Sequence, residues 1–204
     1  MSTRLNIVLA STSPRRRSLL NQIGLPFTVA DPGEVETSTA PSPSTRAVEN
    51  ASKKVESVAA DHPHSIIIGA DTIVVLGGKM LGKPRSKREA GEMLRNLRGV
   101  QHLVVTGLAV LDTDTGKTEN RIVETRVFMR DIPDDELEAY VASGEPLGKA
   151  GGYAIQGSGA VFVKRVEGCF FNVVGLPLPA LYDILKGFGI DIWGERRACN
   201  IIFN

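Results

Sequence analysis

Near the start of the chain, a hydroxyl-rich turn runs into clustered guanidinium groups: Ser11-Thr12-Ser13-Pro14-Arg15-Arg16-Arg17, directly after an apolar run over residues 5–10. Ser13 is a favoured N-cap, and Pro14 suits the first helical position, where no N–H is needed. A helix opening here aims its unpaired N–H groups and the positive end of its dipole past the strand. Arg15 and Arg16 can each grip an oxyanion bidentately. Phosphate binding is the chemistry these residue types suit. A capped surface helix with solvated arginines would use the same residues, so this stretch does not decide the matter alone.

Further along, Asp71 follows the apolar Ile66-Ile67-Ile68-Gly69-Ala70. Its carboxylate is expected at the carboxyl end of a strand, where ligands of open α/β sheets collect. No helix begins at Thr72 for it to cap, so a metal or general-base role fits better than a structural one. Lys83 sits in Gly82-Lys83-Pro84, where proline keeps the preceding backbone extended and aims the ammonium consistently. Glycines 148, 151, 152, 157 and 159 surround Tyr153-Ala154-Ile155-Gln156, allowing close backbone approach to a flat ligand while Gln156 offers a donor and an acceptor to a base edge. A glycine-rich hairpin with an ordinary polar side chain is the alternative.

The elements that must position these residues alternate. Residues 5–10 read as a strand, followed by a helix from Ser13 to about Ile23 that Gly24 stops. Pro32, Pro41 and Pro43 exclude regular structure over residues 32–45. From Ser44 the positions Ala47, Val48, Ala51, Val55 and Val58 repeat at helical spacing. Residues 66–68 form a short strand, residues 72–76 continue extended, and Gly77-Gly78 marks a turn. Ser86-Lys87-Arg88-Glu89 is a capping box that opens a helix stopped by Gly99. Residues 104–111 and 121–129 make two long strands joined around residues 112–117. A helix from Pro133-Asp134 ends at Ser143-Gly144, strands are expected at 153–155, 161–166 and 170–174, and a helix closes over 178–186. This alternation, with a hairpin among the crossovers, predicts an α/β fold with a mixed central sheet flanked by helices.

Composition narrows the function. The formal net charge is +1, which leaves no basic footprint for a duplex, so nucleic acid is not an expected partner. No apolar run approaches the ~20 residues that span a bilayer, and there is no signal-peptide core, so the expected setting is cytoplasmic, away from the membrane. Cys169 and Cys199, with His62, His64 and His102, lack metal-ligand spacing, which argues against zinc and against a disulfide framework. P-loop, dinucleotide-fingerprint and nucleophile-elbow motifs are all absent from the sequence.

Six motifs then stand in order: Ser11-x-Ser13-Pro14-Arg15-Arg16, Gly69-Ala-Asp-Thr72, Gly82-Lys-Pro84, Gly144-Glu-Pro146, the run from Lys149 to Gly157, and Val173-Val-Gly-Leu-Pro177. Together they resemble the Maf family of house-cleaning nucleotide pyrophosphatases, over about residues 5–190. The resemblance implies a Maf/ITPase-like fold with two lobes and an active-site cleft, in a single domain over residues 1–194, and leaves a tail at 195–204 unassigned. It implies hydrolysis of a nucleoside triphosphate between the α and β phosphates, with a divalent cation, Mg²⁺ or Mn²⁺, and a homodimer. Asp71 would then be the catalytic acceptor that activates water and a metal ligand, and Glu36 the second metal carboxylate, a sufficient set for Mg²⁺ beside phosphate oxygens. Ser13, Arg15, Arg16, Lys54 and Lys83 would bind phosphate. Arg15, Thr72 and Gln156 match the branch acting on dTTP and UTP. The alternatives are the sister branch acting on 7-methyl-GTP, or a non-catalytic nucleotide-binding regulator of cell division.

Overall fold

The computed structural model describes residues 6–35 and 37–193; Glu36, Cys199 and the tail at 195–204 lie outside the described residues. The first apolar run forms strand β1 (Asn6–Ala10) and leads into helix α1 (Pro14–Gln22), with Ser13 at the N-cap. A short strand β2 (Thr28–Ala30) follows, then helix α2 (Pro43–Ala59). Strand β3 (Ser65–Leu76) turns at Gly77-Gly78 into β4 (Lys79–Leu81). Helix α3 (Lys87–Leu97), the long hairpin β5 (Gln101–Asp112) and β6 (Thr118–Met129), and helix α4 (Asp134–Ala142) come next. Strand β7 (Val163–Glu167) and helices α5 (Phe170–Val174) and α6 (Leu178–Gly187) complete the order.

The seven strands make one mixed sheet in the order β2-β1-β3-β5-β6-β7, with β4 also on β3. Its β1 pairings are parallel and the others antiparallel. One detail of register creates the cleft. Along one edge β3 is paired with β5 from Ile66 to Val75. Its other edge is covered by β1 only as far as Ile68 and by β4 only from Val74. Residues 69–73 therefore present an open edge in the middle of the sheet.

Strand alternation sends Ile66, Ile68, Ala70, Thr72 and Val74 to one face and Ile67, Asp71, Ile73 and Val75 to the other. On the first face, Ile66, Ile68 and Ala70 pack with Leu19 and Leu20 of α1 and Leu181, Ile184 and Leu185 of α6. Val74 packs instead with Leu94 and Leu97 of α3 and Leu137 and Tyr140 of α4. These two clusters are the two lobes, and they share the same long strands. The second face is roofed by α2, through Ala51, Val55 and Val58 over Ile67 and Ala47 over Ile73 and Val75. Helix and sheet approach closely there because Gly69 and Gly107 have no side chain. A Cβ on Gly69 would stand 2.6 Å from the Ala51 oxygen, and one on Gly107 2.3 Å from the Ala47 carbonyl carbon.

Five expectations are corrected. Regular structure is not excluded over all of residues 32–45, because Pro43 opens α2 in its first turn, where no N–H is needed, with Ser42 at the N-cap accepting from Thr45 N. Residues 170–174 are helical, α5, where a strand was expected: Gly175 caps the turn at φ +117°, and the buried Asn172 amide donates to Val104 O and Thr125 Oγ1. A five-residue apolar run has no periodicity long enough to separate helix from strand. Residues 153–155 form no strand, since Gly151 and Gly152 precede them at φ +73° and +74° and the Ala154 N–H is taken by the Tyr140 hydroxyl. The strand expected at 161–166 begins at Val163, because residues 158–162 form a 3₁₀ turn. Asp71, expected at a strand end, lies within a continuous twelve-residue strand, three residues past Ile68, the last one paired with the parallel neighbour. No helix among the described residues is long and apolar enough to cross a membrane.

Candidate active site

At the open edge of β3 the backbone must find partners other than a strand. Lys54 of α2 supplies one, donating to Ala70 O at 3.3 Å and to Asp71 Oδ1 at 2.5 Å. Asn50, one turn earlier, donates to Asp71 Oδ2 at 3.0 Å. Both carboxylate oxygens are thus held from one helix, and the ion pair is only partly screened, with Lys54 and Asp71 side chains 23% and 21% exposed. Burial lowers the Lys54 pKa, which Asp71 partly offsets and which Arg16 and Lys83 lower further.

Two hollows meet at this carboxylate. One, of about 400 Å³, lies between α1 and the glycine-rich segment and is lined by Ser11, Ser13, Arg15, Arg16, Thr72, Lys149, Tyr153 and Gln156, among others. Another, of about 700 Å³, is lined by Glu34, Arg46, Asn50, Met80 and Gly82. Lys54, Asp71, Thr72 and Lys83 border both. Among the described residues that line the first, Arg15, Arg16, Lys54, Lys83 and Lys149 stand with two acids, Asp31 and Asp71, so positive charge is in excess there.

Every expected site residue except Glu36 can be placed. Ser13 makes no capping bond with its side chain, so its hydroxyl and the first-turn N–H groups of α1 open toward the cleft. Arg16 is braced in three directions: Nε to Gly175 O at 2.8 Å, Nη1 to Ser11 Oγ at 3.2 Å and Nη2 to Thr72 Oγ1 at 3.3 Å. Burial lowers its pKa, as it does for Arg15. Arg17 is exposed and lines neither hollow. Thr72 Oγ1 also lies 2.9 Å from Thr106 Oγ1, whose hydroxyl donates to Asn172 O at 3.4 Å, so the Thr72 proton is directed at Thr106. Lys83 and Gln156 are exposed at the rim, and neither bonds another described residue. Glu36 lies outside the described residues.

Three residues lining the cleft, Asn50, Lys149 and Tyr153, and a fourth outside its lining, Glu145, were given no role from sequence. Asn50 grips Asp71. Lys149 donates to the Glu145 carbonyl oxygen and is held below its ordinary pKa first by burial and then by Arg15. Glu145 accepts from Ser158 N, Gly159 N and the Tyr140 hydroxyl, pinning the loop that carries Gln156. Tyr153 bonds the buried His102 at 2.8 Å beneath the floor. Glu145 and Lys149 lie inside the ordered motifs and could have been found there. Asn50 lies outside them.

Among the described residues, the lining of both hollows includes no histidine or cysteine, and no cluster of three or more His, Cys, Asp and Glu is placed to hold a metal. The donor set is one of carboxylate oxygens: Asp71, with Asp31 and Glu34 on the facing loop. That fits a hard divalent cation such as Mg²⁺, which takes one or two protein carboxylates and draws its remaining ligands from phosphate and water.

The family described as Maf-like protein matches residues 6–188. The chain belongs to the Maf-like family. Among its curated relatives, a protein of Pelotomaculum thermopropionicum named dTTP/UTP pyrophosphatase is 49% identical across 91% of this chain and 98% of its own length. One from Dictyoglomus turgidum with the same name is 47% identical across 93% and 99%. One from Methanosarcina barkeri, again so named, is 46% identical across 93% and 97%. Among solved structures, the Staphylococcus aureus Ham1 protein aligns with a TM-score of 0.46 and 18% identity, over 62% of this chain and 72% of that one.

Proposed function

We propose that this chain is a nucleoside triphosphate pyrophosphatase that hydrolyses dTTP and UTP between the α and β phosphates, with Mg²⁺ or Mn²⁺ as cofactor. The observation that carries the reading is Asp71, a half-buried carboxylate held by Lys54 and Asn50 at the open edge of β3 within a cationic cleft. The shared name of relatives at 46–49% identity supports the substrate.

Water is the nucleophile. Asp71 orients it and accepts its proton, because its side chain is the carboxylate at which both hollows meet. The divalent cation, held by Asp71 with Glu36, would polarise phosphate oxygens and acidify bound water. The open N-terminus of α1, with the Ser13 hydroxyl, binds phosphate oxygens. Arg15, Arg16, Lys54 and Lys83 offset charge that grows on the departing pyrophosphate, as preorganised cations do in phosphoryl transfer. The Lys54 ammonium has three donors, so it can keep Asp71 while reaching a phosphate oxygen. Three of the five Arg16 N–H donors are bonded to Gly175, Ser11 and Thr72, so Arg16 contributes a fixed charge, the placement of Thr72 and two remaining donors for a phosphate oxygen.

Gln156 at the rim reads the pyrimidine edge, with Arg15 alongside and Thr72 limiting the depth of the floor. A nucleoside triphosphate substrate supports a cytoplasmic setting. A panel of dTTP, UTP, CTP, GTP and 7-methyl-GTP tests the reading, with pyrophosphate and orthophosphate release followed separately. Pyrophosphate release fastest for dTTP and UTP is expected. Orthophosphate release, or a lead for 7-methyl-GTP, would overturn it.

A further inference from the structure

We infer that Asn50 is a positioning residue for catalysis: its carboxamide ties the loop facing the cleft to the Asp71 carboxylate, so the two walls of the reaction site are set by one side chain. This rests on the proposed pyrophosphatase reading. The Asn50 carbonyl oxygen accepts from Ser38 N–H at 2.7 Å, and its amide donates to Asp71 Oδ2 at 3.0 Å. The orientation of the amide follows from chemistry, because a backbone N–H can only donate and an ionised carboxylate can only accept. Two neighbours on α2 fix the same loop. Glu49 accepts from the Ser38 hydroxyl, which itself accepts from Ala40 N, and Arg46 Nε donates to Ala40 O at 2.8 Å. Ser38 is 4% exposed, so this loop foot is packed in place. The loop so anchored carries Glu34, which lines the larger hollow together with Asp71.

Asn50 lies outside the substrate-binding cations, and its effect should pass through Asp71 to the chemical step and leave triphosphate binding alone. A misplacement of about 1 Å at a reacting group costs about 100-fold in rate.

The test uses the full chain with Asn50→Leu, which removes both bonds, and Asn50→Asp, which keeps an acceptor for Ser38 but sets a carboxylate oxygen against Asp71. With dTTP and Mg²⁺, kcat is expected to fall 10- to 100-fold in both variants. The Kd of Asn50→Leu for dTTP bearing a methylene bridge between the α and β phosphorus atoms should stay within threefold. Limited proteolysis should cut residues 31–42 faster in Asn50→Leu and at the wild-type rate in Asn50→Asp. Wild-type kcat in either variant, or a loss in Asn50→Leu that appears wholly in analogue Kd, would overturn the inference. Should Asn50→Leu fail to fold, Asn50→Asp alone tests the bridge: lowered kcat with wild-type cleavage supports it, and wild-type kcat overturns it. Absence of pyrophosphate release by the wild-type chain would instead overturn the proposed function, and the protease comparison would still read the bridge.

Discussion

Replacing Gly107 with alanine puts a methyl group into the contact between α2 and the sheet. The added Cβ would meet Ala47 C at 2.3 Å and both Ala47 O and Val48 N at 2.4 Å, all backbone atoms that no rotamer change can move. Ordinary contact between non-bonded heavy atoms is about 3.5–4.0 Å, so α2 must retreat by about 1 Å or more. Overpacking of this kind costs about 1–3 kcal/mol, which for a chain of this size lowers Tm by about 2–12 °C. The effect should not stop at stability. Asn50 lies one turn beyond Ala47 and Lys54 two turns beyond, and their bonds to Asp71 are 3.0 and 2.5 Å. A retreat of that size breaks the Asn50 bond and loosens the Lys54 pair, with an expected loss of up to about 100-fold in kcat/KM. Thermal unfolding and pyrophosphate release from dTTP, measured on one preparation, read both effects. A variant with lowered Tm and wild-type kcat would refute the link between the seat of α2 and the site; wild-type Tm would refute the packing argument itself.

Other outcomes follow from the same structure. Burial lowers the His102 pKa to about 4 from an ordinary 6.5, so the unfolded chain binds this proton more readily than the folded one. Stability from His102 is therefore intact above about pH 6.5 and falls by roughly 3 kcal/mol as pH drops toward 4, a slope that urea unfolding should show and His102→Phe should flatten. Tyr140→Phe leaves the Ala154 N–H without its acceptor, and the urea midpoint should drop by the equivalent of about 1–3 kcal/mol. Gln156→Glu exchanges the amide donor at the rim for an acceptor, and the ratio of kcat/KM for dTTP over GTP should fall about tenfold or more; an unchanged ratio would remove Gln156 from base recognition.

Local signals were legible in the sequence where they act within a few residues. Ser86 caps α3 by accepting from Glu89 N at 3.2 Å, although the Glu89 carboxylate reaches back to Arg85 N rather than to Ser86. The Ser13-Pro14 start of α1 and the 112–117 hairpin connection also stand where expected. Non-local register was not legible. The cleft exists because β1 stops at Ile68 while β3 runs on to Leu76, and nothing in residues 65–76 encodes where a distant neighbour ends. Asn50 was missed for the same reason. On a helical projection it is one more polar residue, and only the close approach permitted by Gly69 and Gly107 turns it toward Asp71. The apolar run at 170–174 reads as a strand until Gly175 and the buried Asn172 amide are seen to close a short helix.

The central claim is that Asp71 does the chemistry while the cations of the cleft bind the triphosphate. Asp71→Asn keeps the shape of the side chain and removes its capacity to accept a proton, so steady-state pyrophosphate release from dTTP by this variant, beside wild type and with analogue Kd measured for both, separates the two roles. Release reduced by about 100- to 10,000-fold with Kd within tenfold is the predicted result. Release at the wild-type rate would contradict the account.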